Sequence, residues 1–323
     1  MSPAIPPTKT ARPKRAIVTG GAGFIGSHVV DELVKRRFKV VVIDDLSSGQ
    51  KENMNPNVLL HRISVTSPKV REVFKRFKPD YVFHLAAQIS VRESIKDPLK
   101  DARTNILGTI NVLEACREAQ VKKIVVASSG GIMYPGHLKR ARETDNICPE
   151  SPYGVAKRTK ELYLDHYYKV FNLPYVALRL ANVYGPRQIP KGGIEGGAAA
   201  IFLSSLLRKK PVFITGNGKQ TRDFVYVSDV AKAFVAAGAK EYVGIVNVSS
   251  GRETSIRELF RAAKRVVGSK DEPRTLPAVP GEKAGSCMSY TRATRVLGWR
   301  PRVSLEEGLK KTKRFFERQG HRA

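Results

Sequence analysis

Ala16-Ile17-Val18-Thr19-Gly20-Gly21-Ala22-Gly23-Phe24-Ile25-Gly26 is the stretch on which the fold turns. A short β-branched run enters a glycine-rich corner, and a helix-period segment, 27–37, leaves it. Glycines at such a corner allow a tight turn, let backbone N–H groups approach a pyrophosphate, and let helix and strand pack closely. The helix start adds partial positive charge. With 26 glycines in 323 residues, roughly 0.2 chance matches to G-x-G-x-x-G are expected, so the string alone is weak. Its setting is informative: a first strand precedes it, a helix follows, and Asp44 closes the next apolar run, Val40-Val41-Val42-Ile43. A carboxylate there accepts hydrogen bonds from a ribose diol and repels a 2′-phosphate, and no arginine follows directly, since Asp45-Leu46-Ser47-Ser48-Gly49 comes next. The expected cofactor is NAD, not NADP.

Working outward, Tyr81-Val82-Phe83-His84-Leu85, Ile124-Val125-Val126 and Tyr175-Val176-Ala177-Leu178 are further strand candidates. Between them lie helix-period segments at 68–77, 98–119 and 153–171. Apolar runs of this kind suit strands buried on both faces, and the alternation predicts right-handed βαβ crossovers. The expected class is α/β, a doubly wound parallel Rossmann-type sheet with a smaller C-terminal lobe. The boundaries read as a disordered basic arm at 1–14, a cofactor domain at 15–180, and a mainly substrate-binding lobe at 181–323, partly interleaved with the sheet.

Ser151-Pro152-Tyr153-Gly154-Val155-Ala156-Lys157 opens the helix at 153–171. The i,i+4 spacing places Tyr153 and Lys157 on one face. A tyrosine is too weak an acid to serve as a base at neutral pH, and a neighbouring ammonium favours its phenolate. One Tyr-x-x-x-Lys among eleven tyrosines is about what chance supplies, so position carries the signal. The motif follows the strand that runs into Ser128-Ser129-Gly130-Gly131, whose hydroxyls belong at the carboxyl edge, where such sheets bind ligands.

Composition bounds the rest. An apolar fraction of 41% is ordinary for a soluble protein, and no apolar run approaches the length that spans a bilayer. Residues 1–15 hold four prolines and lack the apolar core of a secretory signal. Cys116, Cys148 and Cys287 match no metal or redox spacing, so no metal is expected and a reducing, cytoplasmic setting is. The 57 Lys and Arg exceed the 29 Asp and Glu, for a net charge of +28. That excess attracts polyanions. It is scattered along the chain without a nucleic-acid motif, so it reads as solvated surface, with no specific nucleic-acid partner and no membrane.

TGGAGFIG (19–26), HLAAQ (84–88), SPYGVAK (151–157), ANVYGPRQ (181–188), QTRDFVYVSDV (220–230) and LGWRPRVSLEEGL (297–309) occur in that order. Together they resemble the extended short-chain dehydrogenase/reductase family, closest to its UDP-glucose 4-epimerase branch. The resemblance implies an NAD-dependent nucleotide-sugar 4-epimerase acting on a UDP-sugar, by transient oxidation at C4 and hydride return to the opposite face. It implies catalysis by Tyr153, Lys157 and Ser129. It implies cofactor contacts from Gly20, Gly23, Phe24, Ile25, Gly26, Asp44, Asp45, Ser48, Gly49, Ser64, Val65, Leu85, Ala86, Ala87 and Gln88, besides Tyr153 and Lys157. Substrate contacts are implied for Ser129, Tyr153, Asn182, Thr215, Gln220 and Arg222, and His84 is given no chemistry. Family members pair the helix holding Ile106–Leu113 with the helix from 153, each apolar on more than one face, into a homodimer.

The sequence departs from the family pattern at several positions. Gly130 stands where a Ser or Thr is common, which leaves Ser129 to serve in its place. Pro135 follows Tyr134 where glycine is usual, Ser64 replaces a carboxylate facing the adenine amine, Thr215 replaces a frequent Phe, and Val279 replaces a second phosphate-clamping arginine. Gly130-Gly131 also lacks the Asp-Glu pair that a sugar 4,6-dehydratase needs. Competing readings are a decarboxylase, dehydratase or reductase of the same fold, and a basic RNA-associated member with vestigial catalysis.

Overall fold

The computed structural model describes residues 12–136, 138–190, 197–278 and 283–320. Most of the basic arm, most of the glycine-rich stretch 192–197, and Val279 lie outside the described residues. Arg12, within the arm, pairs with Asp80 at 3.1 Å.

The chain begins with β1 (Arg15–Thr19), α1 (Phe24–Lys35), β2 (Lys39–Ile43), β3 (Leu59–His61), α2 (Lys69–Phe77) and β4 (Tyr81–His84). Next come α3 (Val91–Lys96), α4 (Pro98–Ala102), α5 (Gly108–Glu118), β5 (Lys123–Ser129), α6 (Gly130–Met133), α7 (Pro152–Phe171) and β6 (Tyr175–Leu180). The second half holds β7 (Asn182–Tyr184), α8 (Ala198–Leu207), β8 (Phe213–Thr215), β9 (Thr221–Tyr226), α9 (Val227–Ala239), β10 (Gly244–Val248), β11 (Glu253–Ser255), α10 (Ile256–Val267), β12 (Arg274–Leu276), α11 (Thr291–Leu297) and α12 (Leu305–Gly320).

Seven strands form a parallel sheet in the order β10-β6-β5-β4-β1-β2-β3, the doubly wound arrangement expected. The two-residue side-chain period divides the strands between two cores. Ala16, Val18, Val40, Val42, Val125 and Leu178 point to one face, under α1 and α9. Ile17, Val41, Ile43, Ile124, Val126 and Ala177 point to the other, under α2, α5 and α7. That two-sided burial is why the strands read as unbroken apolar runs. β10 comes from the second half of the chain yet extends the main sheet beside β6. A third core, built on α8, α10, β8 and β9, includes Phe202, Leu203, Ile214, Phe224, Leu259 and Phe260.

The segment expected as one helix over 98–119 is interrupted. Arg103–Leu107 forms a π-helical turn between α4 and α5. Such turns recur at functional sites. This one presents Asn105 inward, where its side chain donates to the Gln88 carbonyl and to Asp101, each at 2.9 Å.

Candidate active site

The glycine corner sits at the carboxyl edge of β1. A Cβ on Gly26 would lie 2.0 Å from the Gly20 carbonyl oxygen, so only glycine lets α1 start this close to the strand. Gly23 caps α1 with no side-chain hydrogen bond, which leaves the first amides of Phe24, Ile25 and Gly26 for an anion. Asp44, at the end of β2, accepts from Ala22 N at 2.9 Å and from Leu46 N at 2.8 Å. Burial pushes its carboxyl above the usual carboxylate range, and those two amides oppose the shift. Gln50 N donates to Ala22 O at 3.0 Å, which lays the loop of Asp45, Ser48 and Gly49 against the corner. These features fit a dinucleotide: free helix-terminal amides for a pyrophosphate, and a fixed carboxylate for a ribose.

The HLAAQ run passes beside the corner, with Leu85 N bonded to Thr19 O at 3.0 Å. Leu85, Ala86 and Ala87 are half-buried there. Gln88 instead spends its side chain on Ser90 and Asp101. Ser64 pairs with Thr66 at 3.0 Å, whereas Val65 is buried in the core, with its carbonyl taken by Asn111. His84 is fully buried between two hydroxyls, Thr19 at 2.7 Å and Thr109 at 3.0 Å. Thr109 gives its proton to the Asn105 carbonyl at 2.7 Å. Its oxygen must therefore accept from His84 Nε2, which makes the imidazole neutral with the proton on Nε2. Burial and the nearby Lys160 and Lys157 likewise disfavour its charged form.

α7 starts where Ser151 accepts from Gly154 N at 3.2 Å and Pro152 takes the first turn. That start aims Tyr153 and Lys157 at the end of β5. Lys157 is buried, donates to Ala127 O at 3.3 Å, and sits 5.2 Å from the Tyr153 ring centroid. Burial pushes its ammonium down to about 8, against the pull of Asp101 and Glu161. Burial, then the Asp101 charge, push the Tyr153 phenol above its ordinary range, and the Ser129 hydroxyl pulls it back. Without ligands, Tyr153 is therefore a phenol.

Gly130 has a packing reason. A Cβ there would meet Met288 Sδ at 1.9 Å, so the methionine fills the room that a Ser or Thr would need. Ser129, the last residue of β5, remains the hydroxyl that hydrogen-bonds the Tyr153 phenol.

The sequence reading missed the frame beneath these residues. Glu161 is buried and accepts from Arg179 Nε and Nη2 at 2.9 and 2.8 Å, and from Ser128 Oγ at 2.7 Å. Arg179 also donates to Tyr134 at 2.7 Å, and Tyr134 donates to Asn247 at 3.0 Å. One signal was available: Arg179 is the lone charge in the otherwise apolar β6, Tyr175–Leu180.

The other expected substrate residues lie on or beside β7, β8 and β9. Asn182 is exposed beside Gly131. Gln220 donates to the Thr215 hydroxyl at 3.2 Å, and Arg222 Nη1 donates to the carbonyls of Thr221 and Lys283 at 2.8 and 2.9 Å. The neighbouring Asp223 is fully buried and accepts from Ser250 N and Oγ, both at 2.7 Å, and Gly251 N at 3.1 Å, which fixes the strand carrying Arg222. No group of three or more potential metal ligands occurs among the described residues.

Residues 16–249 match the model of the NAD dependent epimerase/dehydratase family. The chain belongs to that family. It is 43% identical over 309 residues to a UDP-glucose 4-epimerase of Mycolicibacterium smegmatis, covering 94% of this chain and 98% of that one. A UDP-glucose 4-epimerase of Thermotoga maritima, solved with UDP-glucose, superposes with a TM-score of 0.92 at 44% identity, over 94% of this chain and 99% of that one. The Thermus thermophilus UDP-glucose 4-epimerase, solved with NAD, superposes with a TM-score of 0.88 at 40% identity, over 94% and 99% of the two chains.

Proposed function

We propose that this family member is an NAD-dependent nucleotide-sugar 4-epimerase that interconverts UDP-glucose and UDP-galactose. The observation that carries the reading is the convergence of Tyr153, Lys157 and Ser129 beside the glycine corner and Asp44 at one sheet edge. NAD, when bound, supplies reversible hydride acceptance from the sugar C4. The corner amides and Asp44 hold its pyrophosphate and adenosine ribose. Tyr153 takes the proton of the 4-hydroxyl and later returns it. Lys157 favours the phenolate through its charge. Ser129 hydrogen-bonds the 4-oxygen. Asn182, Thr215, Gln220 and Arg222 hold the nucleotide end, where a guanidinium suits a pyrophosphate.

Residues 15–180, completed by α9 and β10, form the cofactor domain in this reading, and the remainder of 181–323 forms the substrate lobe. The working unit is a homodimer. Leu107, Val155 and Leu162, on the π turn and α7, leave exposed apolar surface for a second copy. A cytoplasmic setting without specific nucleic-acid partners completes the reading, supported by three free cysteines and dispersed basic charge. Incubating the protein separately with UDP-glucose, UDP-N-acetylglucosamine and UDP-glucuronate, then resolving products by NMR, tests it. UDP-galactose formed from UDP-glucose is the expected product, and turnover of only the other two sugars contradicts it.

A further inference from the structure

Lys283 touches both ends of the candidate site. Its carbonyl accepts from Arg222 Nη1 at 2.9 Å, and its Nζ donates to the carbonyls of Ile132 and Tyr134 at 2.9 and 2.8 Å. Those partners lie 61, 151 and 149 residues away in the chain, so only the packed fold brings them to one residue.

The need for a donor at 132–134 follows from the local backbone. Ser129 is the N-cap of the one-turn helix α6, Gly130–Met133. Tyr134 leaves that helix at φ −76° and ψ 143°, the extended conformation a following proline favours, and Pro135 has no N–H to offer. The last carbonyls of a helix need partners from elsewhere. Tyr134 N donates to the Gly130 carbonyl at 3.2 Å and Cys148 N to the Met133 carbonyl at 2.8 Å, while the carbonyls of Ile132 and Tyr134 go to Lys283. Lysine is a common partner at such an end. The turn held in this way starts at Ser129, which hydrogen-bonds the Tyr153 phenol, and its Gly131 lies beside Asn182.

The other side of Lys283 is tied to β9. Thr221 N donates to Ala284 O at 2.9 Å, next to the bond from Arg222. The lysine also packs on Gly136, where an added Cβ would come 3.3 Å from Lys283 Cβ. Residues 283 and 284 thus form a strut between β9 and the segment that follows β5.

We propose that Lys283 is a positioning residue for the reaction: it fixes the span between the guanidinium that clamps the substrate's pyrophosphate and the turn that carries Ser129. The inference rests on the proposed roles of Arg222, Ser129 and Tyr153. A nucleotide sugar reaches across that span, whereas a free nucleotide does not. A change in the span therefore alters where the sugar meets Tyr153 and leaves nucleotide binding alone. Small misplacements at a reacting centre are costly in rate.

Lys283→Met keeps the stem and the carbonyl that Arg222 uses, and removes the donor. Its kcat for UDP-glucose should fall by about tenfold or more, while the Kd of UDP changes by less than about twofold. Lys283→Arg, which restores N–H donors for the two carbonyls, should turn over faster than Lys283→Met. Amide hydrogen exchange adds a readout that needs no turnover. UDP should slow exchange in the parent's peptide 130–134, because the clamp is tied to that turn. In Lys283→Met the same peptide should exchange faster and lose its response to UDP. If Lys283→Met does not fold, Lys283→Gln, with a shorter side chain, is read for the same split. A kcat within about twofold of the parent, or UDP affinity that falls in step with kcat, overturns the inference. So does exchange at 130–134 that is the same in parent and variant. A parent that slows this exchange on binding UDP yet turns over no UDP-sugar refutes the proposed function and not the strut.

Discussion

The two ends of the proposed active site are built differently. At the cofactor end, the Asp44 carboxylate is held by amides 2 and 22 residues away in the chain, inside one strand-turn-helix-strand unit. At the nucleotide end, Arg222 leans on a carbonyl 61 residues away, and Asp223 beneath it is bound by a loop 27 residues on. The first end is preorganised by local backbone. The second depends on segments that meet only after the lobe has packed. Preorganised donors and acceptors spend less of their interaction energy on ordering, so equal losses of hydrogen bonds should register differently at the two ends.

The largest effect lies between the ends. Tyr153→Phe should keep the fold and bound NAD yet lower kcat by about three orders of magnitude, as expected for a lost general base. Coupled spectrophotometric assays measure the rate, and denaturation followed by chromatography measures the retained NAD. Next comes the frame that both ends share. Glu161→Gln leaves Arg179 buried opposite a neutral amide and should cost about 3–5 kcal/mol of stability, read by denaturant unfolding. A loss below about 1 kcal/mol would show that the pair does not hold the sheet edge.

Asp44→Ala should lower NAD retention by roughly tenfold or more while leaving the KM for the UDP-sugar nearly unchanged. Arg222→Ala should do the converse, raising KM by about tenfold with bound NAD intact. Crossed results, with Asp44→Ala acting on KM or Arg222→Ala on NAD, would dissolve the contrast between the ends. The smallest effect concerns pH. Lys157 keeps its charge only below about 8, so kcat/KM should decline as pH rises through that value. Arg substituted at Lys157 should flatten the decline, even though its geometry lowers the rate.

Legibility in the sequence follows the same division. The cofactor end is written in contiguous residues: TGGAGFIG and the apolar run ending in Asp44 specify turn, helix and carboxylate through local backbone chemistry. The parallel sheet was equally legible, because strands buried on both faces show as unbroken apolar runs. The helix at 98–119 was misread as continuous because its apolar period runs through the π turn that breaks it. Glu161 and Lys160 escaped notice since charged residues on a long helix read as solvent-facing until packing buries them, whereas Arg179 was passed over as the lone charge of an apolar strand. The Val65 side chain packs in the core, a burial its single place in a mixed segment did not announce.

The central claim is inversion at C4 through transient oxidation within a closed pocket. UDP-glucose carrying deuterium at C4 tests it most directly, incubated with the protein in ordinary water without added NAD. The account predicts UDP-galactose that retains the deuterium at C4, because the hydrogen leaves and returns without meeting solvent. Deuterium lost to water, or product unchanged at C4 and altered at another carbon, would contradict it.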